Sequence, residues 1–134
     1  MTMGRMKIYI SGQMTGIANS NAEAFDGAAA YWESLGHEVV NPAQHDRDIG
    51  IDLATGPDEC LKQQLMRWDV TEIASSDSIA FLNNWQESPG ARVEYAVAEA
   101  CGLMMFRQVW RRHDDWLPMW PEMKIEWKLG DPAA

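Results

Sequence analysis

The sequence predicts an α/β protein, a parallel sheet flanked by helices, and three observations point to it. Short β-rich runs at residues 7–11, 37–41, 77–82 and 103–106 alternate with stretches of helical periodicity. Each run stops at a Gly, a Pro or a polar turn. The third stops at a polar turn ending in Ser88, which launches a helix carrying Glu94 in its first turns. Open α/β sheets place their chemistry at such strand-to-helix turns.

Lys7-Ile-Tyr-Ile-Ser11 is the first strand, and residues 12–19 have the polar, Gly-containing character of a βα loop. Ser20-Asn-Ala-Glu23 fits a capping box, and Phe25, Ala28, Trp32 and Leu35 recur at helical spacing before Gly36 supplies a stop. His37 to Asn41 reads as a second strand closed by Pro42, which completes a right-handed crossover unit. The polar stretch between Pro42 and Pro57 exceeds a usual connection and reads as a functional lid or a mobile segment. Within it His45, Asp46 and Asp48 read as solvated loop charges.

From Asp58 to Ala74, Leu61, Leu65, Trp68 and Ile73 suggest a second helix with Asp69 in its C-terminal part. Asp77 opens the third strand, where an aspartate more often anchors a turn than reacts. Ser88 and Pro89 then read as N-cap and first helical residue, with Val93, Val97 and Ala100 as the sheet-packed face and Glu94 beside it. Gly102 ends that helix, and Leu103 to Phe106 is the fourth strand. In the tail, Trp110, Trp116 and Trp120 read as core cover or a subunit interface, and Met123 to Leu129 alternates strictly as an edge or interface strand.

A chain of 134 residues suits one domain spanning 1–134, with a core at about 6–107 and a Trp-rich extension at about 108–134. The net charge of −9 argues against a nucleic-acid duplex or an anionic membrane as partner. A small phosphorylated ligand stays open, since one Arg and a helix N-terminus can hold it. With no signal-peptide pattern, no apolar run approaching ~20 residues and two widely separated cysteines, Cys60 and Cys101, a cytoplasmic, thiol-reduced protein is expected. His37, His45 and His113 form no ligand spacing with them, so no structural metal is expected. The alternating tail and its tryptophans predict a homodimer or larger homo-oligomer.

Glu94 admits two readings from its position alone. It either complements the helix dipole or serves as an anionic nucleophile or stabiliser. Trp85, at the mouth of the third strand, either stacks on a ligand or packs in the core.

Three groups of residues carry a family resemblance: Lys7-Ile-Tyr9-Ile-Ser-Gly12; Arg67-Trp-Asp69 ahead of Asp77; and Ser88-x-Gly-x-x-x-Glu94 followed by Ala96 and Gly102. Over residues 7 to about 106 the chain resembles the nucleoside 2-deoxyribosyltransferase superfamily, with the 2′-deoxynucleoside 5′-monophosphate N-hydrolases the nearer relatives of known chemistry. In overall layout it is also similar to small phage-associated proteins of that superfamily. The resemblance implies a flavodoxin-like, Rossmann-like fold and cleavage of an N-glycosidic bond without a cofactor. It implies Glu94 as nucleophile, Tyr9 as its hydrogen-bond partner and Asp69 as a contact to base or sugar that can protonate the departing base.

The implied binding set is Ser11, Gly12 and Gln13 in the first loop, Trp85, and Ser88, Gly90 and Arg92 at the last helix. Ser88 stands where the transferases place Asp and the monophosphate hydrolases Ser, which favours a 5′-phosphate. The chain departs from the pattern at Arg92, where a small residue is usual, and in a first loop that offers Gln13, Thr15 and Asn19 instead of Arg. Arg92 can fork a phosphate, narrow the site, or pair with Glu94 or Glu87. The expected function is hydrolysis of a deoxynucleoside monophosphate. Deoxyribosyl transfer and a non-catalytic nucleotide-binding or interaction module are the alternatives.

Overall fold

The structure, a computed structural model, describes residues 4–119. Strand β1 (Lys7–Ser11) is followed by a short 3-10 turn (Ala18–Asn21) and helix α1 (Ala22–Ser34). Strand β2 (Glu38–Val40) leads into α2 (Pro42–Asp48), then α3 (Glu59–Ala74) and β3 (Ser78–Phe81). A second 3-10 turn (Trp85–Glu87) precedes α4 (Pro89–Ala100), β4 (Met104–Gln108) and β5 (Trp116–Pro118). The sheet order is β2-β1-β3-β4-β5, parallel except for the antiparallel edge strand β5. This is the flavodoxin-like order, whose switch point lies between β1 and β3.

Alternation along β1 decides what each face receives, because successive strand residues point to opposite sides. Ile8 and Ile10 enter a core with Phe25 and Trp32 of α1, whereas Tyr9 joins Ile73 of α3 and Ala98 of α4 on the other face. Ser11 follows Tyr9 by two and shares its side. Where β1 ends, a Cβ at Gly12 would lie 2.8 Å from Leu82 Cδ1. Only glycine lets the chain leave the sheet so close to the end of β3.

Three expectations are corrected. The polar stretch after Pro42 holds helix α2, with Asn41 as N-cap accepting from the Ala43 N–H and Pro42 in the first turn. The capping box does not form: Asn19, Ser20 and Asn21 are left-handed, at φ 52°, 54° and 62°. The Ser20 hydroxyl instead donates to the Leu53 carbonyl at 2.8 Å, and Asn21 Nδ2 donates to the Gln13 carbonyl at 2.9 Å. In α4 the buried face is Ala91, Glu94 and Ala98, while Val93 is 47% exposed. Glu94 therefore lies within the packed stripe. Among the described residues, β5 is the C-terminal edge strand.

Trp116 of β5 packs on Trp32, their ring centroids 5.4 Å apart, as core cover. Trp110 is 77% exposed. The expected strand from Met123 to Leu129, and Trp120, lie outside the described residues. Among the described residues no helix is long and apolar enough to cross a membrane.

Candidate active site

Tyr9 and Ser11, on one face of the central strand β1, meet Glu94 where α4 crosses that face. The Ser11 hydroxyl donates to Glu94 Oε1 at 2.6 Å and the Tyr9 hydroxyl to Oε2 at 2.8 Å. Each carboxylate oxygen thus has a hydroxyl donor, and each keeps lone-pair capacity for another atom. Glu94 is 6% exposed and borders a cavity of about 770 Å³, within the range that takes a nucleotide-sized ligand. The cavity also touches Gly12 and Gln13 after β1, Asp46 of α2, Asp69 of α3, and Ser88 and Gly90 at the start of α4.

Asp69 brings a second, partly buried carboxyl against this pair. Burial drives its pKa upward to about 8, the charge of Glu94 pushes the same way, and the Tyr9 hydroxyl opposes the rise. Burial also raises Glu94, but Ser11, Tyr9 and Asp69 each hydrogen-bond in the sense that favours its anion. Two carboxyls this close titrate as a pair, because both cannot ionise without mutual repulsion. The first proton leaves Glu94 and the second stays on Asp69. The Tyr9 phenol is held well above its ordinary value, by burial first and then by the charges of Glu94 and Asp69. Tyr9 consequently remains a donor at every physiological pH. One anion and one neutral acid side by side is an arrangement that glycosyl-transfer chemistry uses.

Among the other expected binding residues, Gln13 turns its Nε2 onto the Thr15 carbonyl at 3.2 Å. Ser88 Oγ caps α4 by accepting from the Ala91 N–H at 3.1 Å, which leaves the hydroxyl proton free to donate. Trp85 and Arg92 are not brought to the cavity. Trp85 packs against Phe81 and stacks on Tyr95, with centroids at 4.5 and 5.2 Å, so the packing alternative holds for it. Arg92 is exposed, because two residues along a helix is roughly 200° of rotation and Glu94 faces inward. Asp77 anchors β1, accepting from the Lys7 N–H at 2.8 Å.

Sequence reasoning missed Asp46, which is no loop charge: it is 6% exposed and borders the cavity. Its neighbour His45 stacks on Trp68 with ring centroids 3.6 Å apart and planes at 13°. Lys62 and Met66 of α3 also line the cavity. The signal that could have found Asp46 is Asn41-Pro42, the same N-cap and first-turn pairing as Ser88-Pro89. Among the described residues no group of His, Cys, Asp and Glu is arranged to hold a metal ion.

A family model described as a domain of unknown function, DUF4406, matches residues 6–107, most of the chain. No curated protein matches it.

Proposed function

The chain belongs to the DUF4406 family, and for this member we propose N-glycosidase activity on a 2′-deoxynucleoside 5′-monophosphate. The observation that carries the proposal is Glu94, held by Tyr9 and Ser11 inside the cavity, beside an Asp69 that retains its proton up to about pH 8. The substrate class comes from the resemblance to the nucleoside 2-deoxyribosyltransferase superfamily.

In the proposed reaction a Glu94 oxygen attacks the anomeric carbon as the carbon–nitrogen bond breaks. The bonding pair leaves on the base nitrogen, which takes the Asp69 proton. A glycosyl ester on Glu94 results. Asp69, now a carboxylate, removes a proton from water, and that water displaces Glu94 from the anomeric carbon. The products are free base and deoxyribose 5-phosphate. Tyr9 and Ser11 hold the carboxylate in its attacking orientation. Incubation with a panel of deoxynucleosides and their monophosphates, followed by chromatography for free base, tests the proposal; no base released from any of them removes it.

We place the 5′-phosphate at the start of α4, where Ser88 and Gly90 line the cavity and a helix N-terminus offers free N–H groups to an anion. Ser88→Gly removes the hydroxyl while costing the helix cap only a few tenths of a kcal/mol. The ratio of monophosphate to nucleoside kcat/KM should fall roughly tenfold, since a hydrogen bond to a charged group is worth about 1.5–3 kcal/mol. An unchanged ratio would move the phosphate elsewhere. The outward Arg92 supports a second reading, base exchange on an unphosphorylated nucleoside. Adding a free acceptor base to the same assay distinguishes it, by the appearance of a new nucleoside.

A further inference from the structure

Asp46 is a buried carboxyl in the same cavity to which the proposed reaction gives no task. It takes a contact from His45 Nδ1 to Oδ1 at 3.4 Å, and its other oxygen receives no hydrogen bond from a described residue. Its position is fixed from behind. His45 is stacked on Trp68, and the residues that follow these rings, Asp46 and Asp69, both face the cavity. The stack thus sets the separation of the two carboxyls across α2 and α3.

Where Asp46 lies relative to a bound nucleotide follows from the strand order. At the C-terminal rim of the sheet, α4 starts beyond β3, Glu94 sits over β1 with Tyr9 and Ser11, and α2 starts beyond β2. The three strands are adjacent in the order β2, β1, β3. A phosphate at the α4 start and an anomeric carbon at Glu94 therefore leave the β2 side for the base. That side presents Asp46.

Resting on the nucleotide reading above, we infer that Asp46 is a specificity-determining residue that selects amino-bearing bases over thymine and uracil. A carboxylate only accepts hydrogen bonds, so it pairs with the exocyclic amino group of adenine, cytosine or guanine. Thymine and uracil offer one ring N–H flanked by two carbonyl oxygens, which the carboxylate repels. Selection then comes as much from repulsion of the wrong base as from attraction of the right one. Burial raises the Asp46 pKa, and the His45 contact opposes that rise in the sense that favours the accepting form.

The test measures kcat/KM for the deoxynucleoside monophosphates of adenine, cytosine, guanine and thymine on the wild type, Asp46→Asn and Asp46→Ala. Calorimetric binding of the same four to the full-length wild type and both variants runs in parallel, with thermal unfolding as a check on folding. The amino-bearing substrates should exceed thymine by roughly tenfold or more in the wild type. In both variants the ratio should collapse toward unity, with Asp46→Asn gaining on thymine because an amide also donates. A wild-type ratio that survives in the folded variants overturns the inference. Cleavage without any ranking of bases also overturns it, and leaves the glycosidase reading standing. Ranked binding that depends on Asp46, without cleavage, keeps the selection and removes the glycosidase. Absence of binding to all four overturns both.

Discussion

Glu94→Gln should abolish base release while leaving the protein folded. Removing an attacking nucleophile costs a factor on the order of 10³ to 10⁶ in kcat in enzymes whose chemistry runs through one. The amide keeps the shape of the side chain within the buried face formed with Ala91 and Ala98. It also removes a carboxylate that is costly to bury. Thermal unfolding should therefore match or exceed the wild type even as turnover disappears. Glu94→Ala is the poorer variant, since truncation inside the packed stripe opens a void. Full turnover in Glu94→Gln would remove this residue from the mechanism.

Asp69→Asn should lower kcat by about 10² to 10⁴ with a smaller effect on KM, the range typical of a lost general acid. Bases that leave readily without protonation should be affected least. The pH profile supplies an independent signature. Wild-type activity requires Glu94 ionised and Asp69 protonated, so it should rise through a limb set by Glu94, above the ordinary carboxylate range, and decline above about pH 8. The alkaline decline should vanish in Asp69→Asn. Stability carries the same sign: a carboxyl raised from 3.8 to about 8 contributes most when both states are protonated, below pH 3.8, and the contribution is lost as pH rises toward 8. Relative to Asp69→Asn, the wild type should lose stability across that window. An unaltered pH profile in the variant would assign the alkaline limb to another group and leave Asp69 a positioning role.

Much of the frame is legible because its signals are local. Ser88-Pro89 marks the start of α4, Asp58 that of α3, and the apolar run at β1 that of the sheet. Asn41-Pro42 carries the same helix-start signal, yet α2 escapes notice because the residues after Ala43 are all polar and show no apolar period. Its burial of Asp46 depends on α1, α3 and the cavity, none of which a local pattern can see. In α4 the valines advertise a face that the structure turns partly to solvent. The packed stripe runs through small alanines and a glutamate, and a buried charge looks exposed to any hydropathy pattern. Ser20 and Glu23 have capping-box spacing, but left-handed backbone at Asn19 to Asn21 aims the serine at Leu53 instead. The pairing of Tyr9 with Glu94 spans most of the chain, so only a resemblance suggests it before the fold is in view.

The site draws its parts from elements of unequal tenacity. Strand β1, paired on both edges, holds the two hydroxyls, while α3, which carries Asp69, fully buries only Ile73. Amide hydrogens of residues 8–10 should consequently exchange with solvent only through global opening, and those along α3 through local excursions of lower free energy. The proton donor thus rides on a helix that breathes against the two β1 hydroxyls, which do not. A ligand bridging the two would slow exchange along α3 far more than along β1, so ordering of that helix becomes part of what binding must supply.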